Sequence, residues 1–291
     1  MKKPISVSIG IFAYNEEQNI KKVLDSILKQ HTQIAFIKEI IIISSGSYDR
    51  TNQIARQYEK KDNRIRLIEQ LERRGKSSAI NKFLKIAKAP ISVVISSDLR
   101  LHTKAIEEIT IPFLHKKVGM AGAHPIPINT QHSQFGKEIR LLWQLHHLVA
   151  LKNPKCGEMI AFRNVIRSIP KQSAVDEANL EVLLKLIGFK VVYAPRAIVY
   201  NKGPRTIQEF LTQRRRVYAG HQWVVKQYNY QVSTLGFSST FQTIIAHLFT
   251  KPNDTIPMIR LVALEAWGRV LGWWDYHILG KNQYIWNMIE R

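Results

Sequence analysis

Two acidic positions stand where the sequence predicts the end of a strand and the start of a helix. Asp98 follows the apolar run 91–95, with only Ser96 and Ser97 between them. A carboxylate at a strand end can hold Mg or Mn against a diphosphate, because these cations prefer oxygen ligands and often take only one or two carboxylates from the protein. The alternative is that Asp98 caps a helix or lies in a solvated turn.

The second acidic position is the pair Asp176 and Glu177, which opens a predicted helix over residues 177–187. One carboxylate of the pair could act as the general base that takes a proton from an acceptor hydroxyl, and Asp176 is the preferred candidate. The alternative is that both side chains only interact favourably with the positive end of the helix dipole.

Basic side chains form the third candidate group. Gln213, Arg214, Arg215 and Arg216 fall within one helical turn, so at least one guanidinium could reach a pyrophosphate with two parallel hydrogen bonds. A solvated charged face is the competing interpretation. Lys76 lies in a Gly-Lys-Ser-Ser turn, but the sequence lacks the first glycine of a Walker motif, which excludes a P-loop kinase or ATPase.

The elements that must position these residues alternate between strand and helix. Apolar runs over residues 4–12, 37–43, 65–68 and 91–95 predict strands, and helical patterns fall between them, as in a doubly wound α/β sheet. In such sheets the ligand lies beyond the carboxyl ends of the strands. Asn15, Asp49 and Asp98 each follow a predicted strand end.

The pattern after residue 100 is mixed. It predicts a strand near 118–123, a helix over 135–151, an extended segment at 157–162, and a hairpin made of 191–193 and 197–200. The last ~80 residues look mainly helical. A group of aromatic residues near the end suits either an interfacial helix or helix packing: Trp267, Trp273, Trp274, Tyr276, Tyr284 and Trp286.

Composition favours an intracellular protein with anionic partners. The 291 residues carry a formal net charge of +21, spread evenly along the chain. A single cysteine, Cys156, excludes an intrachain disulfide and suits a reducing compartment. Because no signal peptide or uninterrupted apolar span stands out, we expect a cytoplasmic protein that lies at most on the surface of a membrane.

Taken in order, the motifs resemble those of the family 2 glycosyltransferases with the GT-A fold. The resemblance covers residues 5–220 and rests on six segments. They are Tyr14-Asn15-Glu16-Glu17, residues 44–51, residues 75–81, Ser96-Ser97-Asp98, Asp176-Glu177 and Gln213-Arg214-Arg215-Arg216-Val217.

The resemblance implies an α/β fold with a Rossmann-like, mostly parallel sheet flanked by helices and a mainly helical C-terminal segment. The catalytic domain would cover 1–225, with a nucleotide-binding half (1–100) and an acceptor-binding half (101–225), and 226–291 would form a helical segment at a membrane interface. The implied enzyme is an inverting hexosyltransferase that uses a UDP- or GDP-linked sugar, Mg or Mn, and a lipid-linked or glycan acceptor. Nucleic acid is not an expected partner.

The resemblance also assigns roles to single residues. Asp98 would bind the metal ion, and Asp176 or Glu177 would be the base. The residues expected to contact the nucleotide sugar are Ala13, Tyr14, Asn15, Glu16, Ser45, Asp49, Lys76, Ser97, Asp98, Gln213, Arg215 and Arg216.

Three departures from the family pattern limit what the resemblance implies. Ser44 and Ser45 replace an acidic pair that contacts the base in relatives, so the donor nucleotide stays open. Ser96 replaces the first acidic residue of the metal motif, and Val217 replaces the tryptophan of processive synthases. The alternatives are therefore a catalytically impaired sugar-nucleotide-binding relative, a nucleic-acid-binding protein suggested by charge, and a nucleotidyltransferase, which the missing N-terminal glycine-rich loop disfavours.

Overall fold

The computed structural model describes residues 3–129, 135–172, 174–230 and 237–280. Within these ranges, eight strands form one sheet in the order β3-β2-β1-β4-β7-β6-β8-β5. The strands are β1 (Ile5–Ala13), β2 (Ala35–Ser45), β3 (Ile65–Gln70), β4 (Ile91–Ser96), β5 (Arg100–Leu101), β6 (Val118–Pro127), β7 (Met159–Arg163) and β8 (Lys190–Asn201).

Helices cover the sheet and continue beyond it. They are α1 (Ile20–Leu28), α2 (Thr51–Glu59), α3 (Lys76–Ile86), α4 (Ala105–Thr110), α5 (Gly136–Lys152), α6 (Asp176–Leu186), α7 (Ile207–Tyr228), α8 (Phe237–Thr250) and α9 (Thr255–His277). The expected α/β architecture with a helical C-terminal part is confirmed. In the described ranges no helix is both long enough and apolar enough to span a bilayer.

The first four strands are parallel to one another and form the part of the sheet that the sequence predicts. The β-branched residues of β2 and β4 are buried on both faces, as a parallel sheet covered by helices on both sides requires, whereas β3 at the edge is only partly buried. One face packs against α1, α2 and α4, and the other packs against α3 and α6. The carboxyl ends of β1, β2 and β4 consequently meet at a single edge.

The second half of the sheet is mixed. Strand β7 runs antiparallel to both β4 and β6, whereas β6 and β8 are parallel. This arrangement brings the start of β7 beside the end of β4, because Met159 pairs with Ile95. The loop that precedes β7 therefore lies at the same edge as Asp98.

The predicted hairpin at residues 191–200 is wrong. Both apolar runs belong to β8, and both pair in parallel with β6. The register shifts between them: Tyr193 pairs with Gly122, whereas Ile198 pairs with His124. Residues 194–197 thus form an irregularity in one strand, and a local sequence pattern with Pro195 at its centre resembles a turn closely enough to mislead.

Helices α7 and α9 pack closely because two glycines lie at their contact. A Cβ at Gly268 would come within 2.7 Å of the Arg214 Cβ, and a Cβ at Gly272 within 2.9 Å of the Arg215 backbone oxygen. An ion pair between Arg215 and Asp275 joins the same two helices. The predicted domain boundary at residue 225 falls inside α7.

Candidate active site

A cavity of about 940 Å³ opens at the carboxyl edge of β1, β2 and β4. Its volume lies near the upper end of the range for small-molecule sites. The predicted residues that line it are Ala13, Tyr14, Asn15, Glu16, Ser45, Asp49, Lys76, Ser97, Asp98, Asp176, Glu177, Gln213 and Arg216. The structure thus brings every predicted site residue except Arg215 to one cavity.

The loops after β1 and β2 are tied together by side chains that bond to backbone. Asn15 has a left-handed φ of 51°, and its Oδ1 accepts a hydrogen bond from the Tyr48 N–H at 3.0 Å. The Asp49 carboxylate accepts from the Glu17 N–H at 3.1 Å and from the Thr51 N–H at 2.9 Å. Asp49 therefore holds the shape of this end of the cavity.

An aromatic and cationic group lies beside these loops. The Tyr14 ring meets the Tyr48 ring edge-on at 6.3 Å between centroids, and the Arg73 guanidinium lies 4.0 Å from the Tyr14 centroid. Tyr48 and Arg73 also line the cavity. The sequence interpretation missed both. Tyr48 occupies a variable position of the segment 44–51, and Arg73 lies just before the segment 75–81.

Serines replace the acidic pair at the end of β2, and their hydroxyls bond within the protein. The Ser44 hydroxyl donates to the Ser47 Oγ at 2.8 Å, and the Ser45 Oγ accepts from the Arg74 N–H at 3.3 Å. Ser44 is fully buried, whereas Ser45 lines the cavity. Their substitution thus leaves a neutral surface at this position.

Asp98 lies at the end of β4 with Ser96 and Ser97 beside it in the cavity wall. In the described part of the chain, no three His, Cys, Asp or Glu side chains group closely enough to hold a metal ion by themselves. A donor set of one carboxylate suits Mg or Mn that takes its remaining oxygen ligands from a diphosphate and water. These residues fit a cation that binds together with a phosphorylated ligand.

The acidic pair at the start of α6 has two different environments. Asp176 is buried and forms an ion pair with Lys76, with 2.9 Å between Nζ and Oδ2. Burial and the Asp176 charge raise the pKa of Glu177 to about 7, and the Lys76 charge opposes this shift. Glu158 lies in the loop before β7, and its charge raises the pKa of Glu177 by a smaller amount. The sequence analysis did not select Glu158.

Helix α7 directs its three arginines differently. Arg214 and Arg216 line the cavity together with Gln213. Arg215 donates two hydrogen bonds to Asp275 of α9, at 2.7 and 2.6 Å. Successive side chains on a helix point in different directions, so Arg215 faces α9 whereas Arg214 and Arg216 reach the cavity. The expectation that Arg215 contacts the nucleotide sugar stays a prediction.

The inner wall of the cavity comes from α5, α7 and the loop before β7. Its residues include Trp143, His146, Lys155 and His221. Sequence reasoning did not select them, because each is an isolated residue without a partner at motif spacing. His146 and His147 diverge as expected for adjacent helical residues: His147 bonds to the Tyr193 hydroxyl at 2.8 Å instead.

Comparison with known proteins identifies the family. The model described as "Glycosyl transferase family 2" matches residues 8–168, and that described as "Glycosyl transferase family group 2" matches residues 154–273. The chain is 35% identical over 104 residues to the uncharacterized glycosyltransferase EpsJ of Bacillus subtilis, over 36% of this chain and 29% of that protein. It is 25% identical over 246 residues to poly-beta-1,6-N-acetyl-D-glucosamine synthase of Staphylococcus aureus, over 79% of this chain and 58% of the synthase.

The chain therefore spans less than two thirds of the length of these two relatives. Among solved structures, it resembles the Pyrobaculum calidifontis mannosyltransferase PcManGT in complex with GDP-Man and Mn2+ (TM-score 0.66, 16% identity, 92% of this chain and 87% of the other). It also resembles the Mycobacterium tuberculosis glucosyl-3-phosphoglycerate synthase in complex with Mn2+, UDP and phosphoglyceric acid (TM-score 0.54, 20% identity, 79% and 80%).

These likenesses confirm the GT-A fold expected from the sequence. The family 2 model covers more than half of the chain, from inside β1 to just beyond β7, and so includes the strand ends that form the cavity. The chain belongs to glycosyl transferase family 2.

Proposed function

We propose that this protein transfers a sugar from a UDP- or GDP-linked donor to an acceptor hydroxyl in one inverting displacement. The observation that carries the proposal is the acidic pair of α6 in a cavity of about 940 Å³ at the strand ends. Nucleotide and nucleotide-sugar ligands in the neighbours PcManGT and the Mycobacterium tuberculosis synthase support a nucleotide donor. Residues 1–100 supply the nucleoside end, and residues 101–225 supply the acceptor end.

The base in this proposal is Glu177 rather than Asp176. Asp176 is held by the Lys76 ammonium at 2.9 Å, which stabilises its charge and occupies one of its oxygens. Glu177 has a pKa of about 7, raised mainly by burial, so it can both take and release a proton near neutral pH. Asp176 raises that pKa and Lys76 limits the rise, which makes both of them positioning residues for Glu177.

A divalent cation belongs to the same proposal. Asp98 would hold Mg or Mn, and the cation would stabilise the negative charge that develops on the leaving diphosphate. Arg216 and Gln213 line the cavity and would contact the same anion with hydrogen-bond donors. Tyr14, Asn15, Glu16 and Asp49 shape the nucleoside end through the contacts between the two loops.

The proposed acceptor is lipid-linked or a glycan at a membrane surface. Helix α9 buries Met258, Leu261 and its two glycines against the protein. Its opposite side exposes large apolar residues, with more than two fifths of each exposed: Ile256, Ile259, Val262, Trp267, Val270, Trp273 and Trp274. An exposed apolar face this long, rich in tryptophan, suits a helix that lies in a membrane interface. Tyr284 and Trp286 of the same aromatic group lie outside the described residues.

A donor screen tests the proposed function. The purified protein is mixed with UDP, GDP and their common sugar conjugates, with and without Mn, and the melting temperature and release of free nucleotide are measured. We expect one nucleotide series to raise the melting temperature in a Mn-dependent way and its sugar conjugate to be cleaved slowly, with water as acceptor. Asp98→Asn should remove the dependence on Mn. The proposal would be contradicted if no donor raised the melting temperature and no donor released its nucleotide.

Membrane attachment has its own test. Flotation with vesicles that contain anionic lipid should carry the wild-type protein upward, and replacing Trp267 and Trp273 by Ser should abolish flotation without lowering the melting temperature. Phe36 is a matched control, since it is exposed to a similar extent but lies on β2. Equal flotation of the double variant and the wild type would contradict the interfacial role of α9.

A further inference from the structure

One cation in the cavity wall has no acidic partner. Lys155 lies in the loop between α5 and β7, half-buried and lining the cavity. Within the described ranges, no carboxylate comes within ion-pair distance of its ammonium group. The acid that interacts with it most is Glu265, which is already shared by Arg214 at 3.7 Å and Arg269 at 3.3 Å.

The surroundings of Lys155 are positively charged. Burial and the charges of Arg269 and Arg214 together lower the pKa of Lys155 to about 8, and the Glu265 charge opposes this shift. Burying a cation without a counterion lowers the stability of the folded protein. The nearby charges of Arg214 and Arg269 increase this cost for Lys155. Such an arrangement becomes favourable when a ligand brings negative charge into the same place.

Two histidines beside Lys155 each have a ring nitrogen without a hydrogen-bond partner. His221 on α7 is 9% exposed, and the Nδ1 atoms of His221 and His146 are buried without any hydrogen bond. Burial lowers the pKa of His221 to about 4 and that of His146 to about 3, so both rings are neutral near pH 7 and each carries one N–H donor. The Arg214 Nε is likewise buried and unsatisfied.

Buried polar atoms almost always have a hydrogen-bond partner, so four polar or charged groups that need one on the same wall suit the binding of an anion. We propose that Lys155, Arg214, His146 and His221 form an anion subsite that binds a phosphate group carried by the acceptor. The proposal rests on the proposed function, because only a transferase has an acceptor. It adds the acceptor's chemical class, a phosphate-bearing molecule.

Part of the subsite lies away from the groups assigned to the donor, which favours the acceptor. His146 and Lys155 come from α5 and from the loop before β7, which supply no donor contact in the proposed function, whereas Arg214 and His221 share α7 with Gln213 and Arg216. The nucleoside end is built from the loops after β1 and β2, and Asp98 stands at the end of β4. The donor diphosphate is the other source of phosphate, and the test below separates the two.

The test measures binding of inorganic phosphate by calorimetry, first to the protein alone and then to protein saturated with its nucleotide and Mg. Four proteins are compared: wild type, Lys155→Met, Lys155→Arg and Lys152→Met. Lys152 is the matched control, because it is exposed at the end of α5, three positions before Lys155. The melting temperature of each protein is recorded without phosphate.

We expect wild type to bind phosphate in the presence of nucleotide. Lys155→Met should weaken phosphate binding by about tenfold or more, since a charge-assisted contact is lost. Lys155→Arg and Lys152→Met should bind like wild type. Lys155→Met should melt no lower than wild type, because it removes a buried cation that lacks a counterion. Nucleotide affinity should stay within about twofold in all four proteins.

Two results would overturn the proposal. One is the absence of phosphate binding to wild type, or equal binding to wild type and Lys155→Met. The other is competition between phosphate and nucleotide together with a loss of nucleotide affinity in Lys155→Met, which would assign Lys155 to the donor diphosphate. Phosphate binding that depends on Lys155 supports the subsite even if no donor is cleaved. Failure to cleave any donor would count against the transferase proposal alone.

Discussion

The two ends of the cavity are built in different ways. At the strand ends, Asn15 and Asp49 bond to backbone N–H groups of the neighbouring loop, so the shape follows from the sheet itself. At the helical end, side-chain positions depend on how α7 packs against α9 through Gly268, Gly272 and the pair Arg215–Asp275. The first end is fixed by local chain geometry, and the second by contacts between distant segments.

This difference shows which part of a site a local motif can specify. A carboxylate that follows a parallel strand has few places to point, whereas an arginine on a helix can face a ligand or another helix. The acidic pair Asp176–Glu177 lies where the two ends meet, in contact with Lys76 from the strand side. Substitutions at the acidic pair, where the two ends meet, should affect the rate of turnover. Substitutions at the strand end should affect nucleotide affinity, and those at the helical end should affect stability.

The largest expected effect is on turnover at the meeting point. Replacing Glu177 by Gln removes the proposed base and should lower the single-turnover rate by about a thousandfold, within the usual range for a general base. Nucleotide affinity should change little. Glu181→Gln, one turn further along α6, should keep the rate within about threefold because Glu181 pairs with Lys185 rather than with the acid pair. A full rate in Glu177→Gln would remove Glu177 from the mechanism.

The next effect is on stability at the helical end. Asp275→Asn should lower the free energy of unfolding by about 2 kcal/mol, because the carboxylate that accepts two hydrogen bonds from the Arg215 guanidinium loses its charge. Arg215→Met should cost a similar amount, and the double variant should cost no more than either alone. Denaturant unfolding measures all three. A loss of nucleotide affinity in Arg215→Met, with unchanged stability, would contradict this structural role and support the prediction that Arg215 contacts the nucleotide sugar.

A smaller effect is expected on affinity at the strand end. Asp49→Ala removes the acceptor for the Glu17 and Thr51 N–H groups, which should loosen the loop and weaken nucleotide binding by about tenfold. Asp62→Ala is the matched control, because Asp62 also accepts from a backbone N–H, that of Arg64, in the loop before β3. Calorimetry with the nucleotide should separate the two variants, and equal affinities would contradict the role of Asp49.

The smallest effect is a shift of the pH profile. Burial raises the pKa of Glu177 to about 7, so the deprotonated base gains population as pH rises through 7 and turnover should rise with it. The Lys76 charge lowers this pKa, so Lys76→Met should move the midpoint to higher pH. The midpoint is measured from the turnover rate at saturating donor, which excludes effects on binding. A midpoint that stays in place or falls would contradict the electrostatic role of Lys76.

The sequence predicted the strand half of the molecule well. Strands β1 to β4 were expected within a few residues of their observed bounds, because each is marked by a short run of β-branched and apolar residues. Ser97 and Asp98 follow directly after β4, and the acidic pair opens α6, as the sequence predicts. Predicted roles for single residues, such as Glu177 or Asp98, still depend on the experiments above.

The sequence could not predict what distant contacts decide. Arg215 turns away from the cavity because it donates two hydrogen bonds to Asp275 on α9, 60 residues away, and no local pattern reveals that partner. Lys155 stands alone between a proline and a cysteine and becomes conspicuous only when α5, α7 and β7 converge. The irregularity at residues 194–197 of β8 was predicted as a hairpin turn. Nothing in the local sequence shows that the residues on both sides of it pair with β6.

The central claim is that Glu177 activates the acceptor for one inverting displacement. The most direct measurement follows the anomeric configuration of the first product by NMR, with water or an identified acceptor and an α-linked nucleotide sugar. The account predicts that wild type releases the β anomer first and that Glu177→Gln releases neither anomer at a comparable rate. Initial formation of the α anomer, or an unchanged β product from Glu177→Gln, would contradict it.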